Sequence, residues 1–265
     1  MENGGEPILI ERESGGVVRL TLNRPKAFNS LNFALLDALH EALDRIGRSS
    51  TARVLVLAGH GKAFSAGHDL KEIGRDRRAE IIHRLFSHCS AMMLKLKDLP
   101  QPVIAEVDGI ATAAGCQLVA ACDLAICSTT SRFATSGVKF GLFCSTPMVA
   151  LSRNVPRKAA LEMLLTGDFI DAAEALRLGL VNAAVPKEEL AAATEALTAR
   201  LLDKPSDVLA LGKRAFYRQL ELPLAEAYDF TTDVIVENAL GNAFGAGLEA
   251  FVAKRPPVWP GQEKA

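Results

Sequence analysis

The sequence has no excess charge of either sign. Lys and Arg total 30 against 31 Asp and Glu, giving a net charge of -1. No broad basic field exists to hold a polyanion, which points away from a nucleic-acid partner. Cysteine is sparse: Cys89, Cys116, Cys122, Cys127 and Cys144 make five, an odd number with no CxxC pair. That is a poor disulfide framework and a poor zinc site, so no metal is expected. A reducing cytoplasm is the expected home. No apolar run is long enough to span a bilayer. The opening MENGGEPILIERESGG is acidic and glycine-rich and carries no apolar signal core. Low-complexity tracts are also missing. What is present is ordinary globular composition, 49% hydrophobic and 23% charged over 265 residues. A chain of this size buries on the order of 70–75% of its unfolded surface, so a large core needs no staples.

Hydrophobic patterning predicts an α/β body followed by helices. Ile8 to Glu11 and Val17 to Leu22 read as strands joined by a turn at Ser14-Gly15-Gly16. Leu36, Leu39, Leu43 and Ile46 recur at helical spacing. The run VLVLAG (54–59) is wholly apolar, as in a strand buried on both faces. GHGKAFSAGHDL then reads as a loop, and Glu72 to Lys97 as one helix with Leu85, Cys89, Met92, Met93 and Leu96 on one stripe. Pro100 and Pro102 end it. VIAEV (103–107) and LAICS (124–128) read as strands flanking a buried helix at AAGCQLVAAC (113–122). DAAEALRLG (171–179) reads as a short helix capped by Asp171 and Gly179, and Val181 to Val185 as a last strand. Beyond Lys187 come helices broken at Pro205, Pro223, Gly241, Gly245 and Gly247, then the irregular KRPPVWPG. We therefore expect a body over residues 1–200 and a helical region over 201–265.

Two segments could carry chemistry. KAFSAGHDL places Ser-Ala-Gly after an apolar strand, where Gly67 permits a bend that turns main-chain amides toward a ligand. DGIATAAGCQL leads through small residues into a helix start, whose unpaired amides and positive dipole end suit developing negative charge. Taken singly, each also reads as a loop or as close packing of a buried helix.

Taken together and in order, FSAGHDLKE and DGxAxxAGCxLxxxCDL resemble the crotonase superfamily, the enoyl-CoA hydratase/isomerase family. NRPKAFNSLN, TGDFIDAAEALRLGLVNAAVP and FVAKRPPVW extend the resemblance over nearly the whole chain. AAGCQL and GLFCSTP resemble its enoyl-CoA hydratase domain-containing branch. The resemblance implies an α/β spiral of strand–strand–helix turns with a helical C-terminal oligomerisation region, assembled as a homotrimer or a dimer of trimers. It implies acyl-CoA thioester substrates, with coenzyme A entering as part of the substrate and no separate cofactor. It places the two amides that hold a thioester enolate at His68 and Ala114. Two such preorganised donors are worth several kcal/mol of barrier. It places coenzyme A contacts at Lys26, Ala27, Phe28, Ser65, Ala66, Lys71, Phe251 and Lys254.

The sequence departs from that family at its two acid–base positions. The glutamate expected after the cysteine of the turn is Gln117. The glutamate expected four residues before the glycine of PExxLG is Gly137, if Gly141 is that glycine. No Asp or Glu lies between Asp123 and Glu162, so a small register error restores neither. A carboxamide exchanges no proton near neutral pH. Candidates to replace the pair are the His68 side chain, which otherwise packs under a loop, and Cys144, a nucleophile or a small filler. Lys139 pairs with a substrate carboxylate or faces solvent. Asp69 is expected to tether its loop, Asp123 to brace a turn, and Cys116 to lie in the core. His40, His60, His83 and His88 show no partner pattern. The expected function is an acyl-CoA-binding enzyme with weak ordinary hydration, in which Gln117 at most positions water; the alternative is a non-catalytic acyl-CoA-binding or regulatory protein.

Overall fold

The computed structural model describes residues 6–260; the outermost five residues of each expected region lie outside it. The chain begins with an antiparallel hairpin, β1 (Leu9–Ser14) and β2 (Val17–Leu22). Helix α1 (Phe33–Arg48) follows, its first turn capped by the Asn32 side chain accepting from the Leu35 amide. Its buried face carries Leu35, Leu36, Leu39, Ala42, Leu43 and Ile46, the periodicity read in the sequence. β3 (Val54–Gly59) then runs into the short β4 (Ala63–Ser65), followed by α2 (Leu70–Arg75) and α3 (Ala79–Asp98). β5 (Val103–Val107), β6 (Ile110–Thr112) and α4 (Ala114–Ala121) repeat the pattern. So do β7 (Leu124–Ser128), β8 (Arg132–Ala134) and α5 (Pro147–Asn154), with a 3-10 turn at Ser136–Phe140 between them.

First strands of each unit join a six-stranded sheet, β1-β2-β3-β5-β7-β10, parallel beyond the hairpin, where β10 is Ala183–Val185. Second strands join a small sheet, β4-β6-β8-β9, where β9 is Ile170–Asp171 and pairs antiparallel. The chain is thus the expected spiral of strand–strand–helix turns. Between α5 and β9 lies α6 (Arg157–Thr166); between β9 and β10 lies α7 (Ala172–Arg177), capped by Asp171 accepting from the Glu174 amide.

β3 shows why its run is unbroken. Leu55 and Leu57 face the main core, while Val54 and Val56 face a second cluster with Ile104. Leu197, Leu201 and Leu202 of α8 (Leu190–Leu202) cover that outer face. Three more helices follow, α9 (Ser206–Gln219), α10 (Leu224–Ala239) and α11 (Asn242–Val252). No helix among the described residues is long and apolar enough to cross a membrane.

Two helix expectations need correcting. The stretch from Glu72 to Lys97 is two helices, not one. Asp76 interrupts it by accepting from the Arg78 amide at 3.1 Å and the Arg78 side chain at 3.0 Å, a local alternative to helical bonding. Gly245 and Gly247 do not break the last helix but lie inside α11. A Cβ on Gly247 would stand 3.2 Å from the Trp259 ring, so the glycine lets that ring pack against the helix. Trp259 is fixed by its indole donating to the Asp203 carbonyl at 2.7 Å.

Candidate functional site

Three loops meet where the strands of the small sheet end. The first is the turn Pro25–Ala27 with Phe28 and Asn29, both at positive φ (51° and 53°). Its Phe28 carbonyl accepts from the Ala66 amide at 2.9 Å, and the Asn29 carbonyl accepts from the Ser65 hydroxyl at 2.9 Å. The second loop follows β4. There the Leu31 amide donates to the Gly67 carbonyl at 2.8 Å and the Asp69 amide to the Leu31 carbonyl at 3.1 Å. Arg24 is buried and reaches Asp69 Oδ2 at 2.9 Å and the Ser30 carbonyl. Burial alone would raise the Asp69 carboxyl, but the Arg24 hydrogen bond and charge hold it below the usual carboxylate range. Asp69 also accepts from the Lys71 amide at 3.1 Å, starting α2. It tethers its loop, as expected.

The third loop joins β6 to α4 and presses against the second. Gly67 sits at φ +85°, and a Cβ there would lie 2.8 Å from the Ala113 Cβ and 3.0 Å from the Ala114 nitrogen. A Cβ on Gly115 would stand 2.1 Å from the Ser65 carbonyl oxygen. Neither loop can move without the other. Ala113 is held at φ 51°, ψ −120°, an uncommon conformation for alanine, with its amide donating to the Ala134 carbonyl at 3.0 Å. The contact brings the His68 and Ala114 backbones side by side. Among the described residues neither of these two amides donates to a protein acceptor. Ala114 opens α4, so its amide also lies at a positive helix end.

Both residues line one cavity of about 650 Å³. One wall is a stripe of α3: His83, Phe86, Ser87, Ser90, Ala91 and Leu94, at successive spacings of 3, 1, 3, 1 and 3. This stripe runs beside the core-facing one, Leu85, Cys89, Met92, Met93 and Leu96. Ser136, Gly137 and the loop to Pro147 close the opposite side, with Phe140, Leu142 and Phe143 among its apolar members. Among the described residues no Asp, Glu, Lys or Arg lines the cavity.

The expected acid–base substitutes fare differently. The His68 ring packs edge-on against Phe86, centroids 4.8 Å apart. Both ring nitrogens are buried without a hydrogen-bond partner among the described residues. Burial pushes this imidazole down to about 4. It is a weak base and a neutral ring, so its side chain fits the packing alternative. Gln117 lies one turn into α4, buried, with Oε1 lacking a partner, and is not on the cavity wall. Gly137 is on the wall, but a Cβ there would stand 2.3 Å from the Leu142 carbonyl oxygen and 2.9 Å from the Cys144 sulfur. Cys144 is buried at the wall and its thiol is pushed up by burial, so it is a filler rather than a thiolate. Cys116 is core, its thiol pushed up to about 12 by burial. Lys139 pairs with Asp168 at 2.7 Å on the surface.

The residues expected to meet coenzyme A are scattered. Lys26 and Phe28 are exposed on the first loop, with Ala27 half-buried between them. Ala66 lines the cavity; Ser65 is fully buried, its hydroxyl spent on the Asn29 carbonyl. Lys71 is exposed on α2. Phe251 and Lys254 lie at the end of α11, exposed, and neither lines the cavity. The reading of the sequence missed Arg24 as the buried tie between loops, and missed the α3 stripe. It also gave His83 no partner, whereas its Nδ1 lies 3.4 Å from the Ser87 hydroxyl. The signal for both was the i, i+4 spacing on a helix already recognised.

Comparisons with known proteins agree with one another. The family profile described as enoyl-CoA hydratase/isomerase matches residues 12–262. The chain is 44% identical over 253 residues to the enoyl-CoA hydratase domain-containing protein 3, mitochondrial, of Xenopus laevis, covering 96% of this chain and 86% of that one. The crystal structure of human enoyl coenzyme A hydratase domain-containing protein 3 superposes with a TM-score of 0.93 at 43% identity, covering 96% of this chain and 100% of that one. That of an enoyl-CoA hydratase from Mycobacterium smegmatis superposes with a TM-score of 0.94 at 50% identity, covering 96% and 99%. One expectation is overturned. Vertebrate relatives, from frog to human, are named as mitochondrial proteins, which points to that compartment and not to the cytoplasm. Free buried cysteines require only a reducing interior, which does not single out the cytosol.

Proposed function

The chain belongs to the enoyl-CoA hydratase/isomerase family, and on that premise we propose that it binds acyl-CoA thioesters and stabilises their enolates at the His68 and Ala114 amides. One observation supports this: among the described residues the His68 and Ala114 amides have no protein acceptor, and both residues line a cavity to which no Asp, Glu, Lys or Arg contributes. In such a cavity the amides are the groups that answer a negative charge, and low dielectric strengthens them. The acyl chain would lie along the apolar stripe of α3. Coenzyme A would run over the first loop past Lys26, Ala27 and Phe28, with Ala66 beneath it and Lys71 near the phosphates. Ser65 would serve by fixing the turn, since its hydroxyl is committed inside. The compartment that fits the vertebrate relatives' names is the mitochondrion. Calorimetry with octanoyl-CoA tests the reading: saturable binding is expected, and no binding at millimolar ligand overturns it.

The proposal extends to assembly as a homotrimer or dimer of trimers. Leu224, Leu240 and Phe251 of the C-terminal helical region are 76%, 82% and 80% exposed, apolar surface that suits cover by a neighbouring subunit. Phe251 and Lys254 do not reach the cavity of their own chain, which suits a contribution to a neighbouring subunit's site. Light scattering on the full chain is expected to give three times 28.3 kDa or a multiple of it. A strict monomer at micromolar concentration sinks this part.

A further inference from the structure

Forming an enolate by removal of an α-proton needs a base, and the two usual carboxylates are missing. Three titratable side chains line the cavity: His68, Cys144 and His83. The first has both ring nitrogens sealed against Phe86, and the second is a buried thiol. His83 differs from both. It stands on the cavity wall with its ring exposed, one helical turn before Ser87. Its Nδ1 and the Ser87 hydroxyl are 3.4 Å apart, a long hydrogen bond of the kind that tightens when a site closes on its ligand. When Nδ1–H donates to Ser87 Oγ, Nε2 carries the free lone pair. Phe86, next to Ser87 in the chain, touches the His68 ring, so this stretch of α3 is packed directly against the loop that presents the His68 amide.

We propose that His83 is the catalytic base of this site, with Ser87 as its positioning residue. The assignment rests on the acyl-CoA reading above. In the step it performs, the Cα–H bond of the thioester breaks and the proton passes to His83 Nε2. The bonding pair moves into the Cα–C bond, and the carbonyl π pair moves onto the oxygen held by the His68 and Ala114 amides. Returning the proton to Cα restores the substrate; returning it to the γ-carbon of an unsaturated chain shifts the double bond. Neither route needs an oxidant, a reductant or a second base.

The partial reaction can be observed without knowing the physiological substrate. Octanoyl-CoA is incubated with the protein in D₂O, and the recovered thioester is weighed by mass spectrometry. Wild-type protein is expected to exchange one α-hydrogen for deuterium, the one on the face His83 occupies. His83→Gln should lower the exchange rate by about 10²–10⁴-fold, the usual worth of one general base, with calorimetric affinity unchanged. Ser87→Ala should lower the rate at saturating ligand without altering affinity, and Ser87→Thr should restore it. Octanoyl-CoA that binds wild-type protein but exchanges nothing overturns the assignment to His83 and leaves the binding reading standing. So does undiminished exchange in His83→Gln. Absence of binding removes both.

Discussion

Crotonyl-CoA should be hydrated roughly 10⁴-fold or more slowly by this protein than by an enzyme with both glutamates, since one such group is typically worth about 10²–10⁴. Hydration needs water activated for attack at Cβ and a proton delivered to Cα. Position 117 offers a carboxamide whose oxygen is buried and unpartnered, and position 137 offers no side chain. His83 supplies one proton-transfer group where two are required. Mass spectrometry of the 3-hydroxyacyl product is sensitive enough to follow it. Turnover of about 10 per second, ordinary for an enzyme, would contradict the argument.

The restoration experiment is shaped by packing. Gly137→Glu is excluded as a simple repair, because its Cβ would fall 2.3 Å from the Leu142 carbonyl oxygen and displace the loop that carries Cys144. The loop bends back there: the Leu142 amide donates to the Gly137 carbonyl at 3.0 Å. A glutamate here would therefore need the loop to shift, and not only a side chain to be added. Gln117→Glu meets no such obstacle, being nearly isosteric. Burial would raise its carboxyl and favour a general acid. About 10²-fold more hydratase activity is expected from it alone. An unchanged rate in a variant that still binds ligand would mean that position 117 does not reach the reacting atoms.

The sequence exposed those elements whose pattern is set by burial, and hid those set by contacts between distant segments. VLVLAG, VIAEV and LAICS coincide with β3, β5 and β7, because strands covered on both faces must be apolar throughout. The small sheet was invisible. Its strands β4, β6 and β8 have three residues each, too few for a period of two to emerge; the sequence reads β4 as loop and assigns β6 and β8 to no element. The amide pair at His68 and Ala114 rested on family resemblance in the sequence; its geometry follows from Gly67 and Gly115, whose missing Cβ atoms let the loops touch. His83 was hidden for another reason. A helix stripe facing a cavity is chemically mixed, and only the apolar stripe beside it stands out.

Removing the Asp123 carboxylate should cost about 3–5 kcal/mol of stability, the usual penalty for breaking a buried ion pair from one side. Asp123 was expected only to brace a turn, and it does accept from the Val103 amide at 2.7 Å at the start of β5. It also accepts from Lys213 at 2.7 Å and from the Tyr217 hydroxyl at 2.8 Å, both on α9. The Lys213 side chain is 7% exposed and its ammonium donates further to the carbonyls of Leu96 and Gln101, at 2.9 and 3.0 Å. Burial pulls this ammonium below the usual lysine range, and Asp123 pulls it back up. The cluster is the polar pin between the spiral and the first of the last three helices. In Asp123→Ala the ammonium stays buried against carbonyl dipoles with no counter-charge, and the Val103 amide and Tyr217 hydroxyl lose their acceptor together. Urea unfolding at fixed protein concentration should show a lower midpoint with an unchanged slope. Lys187→Ala breaks an ion pair to Asp108 of similar length, 2.7 Å, but with the lysine 66% exposed, and should leave the midpoint where it was. If Asp123→Ala behaved like Lys187→Ala, the pin would be ornamental. The double variant Asp123→Ala with Lys213→Met separates the charge from the packing: it should recover part of the loss, because the stranded ammonium is gone.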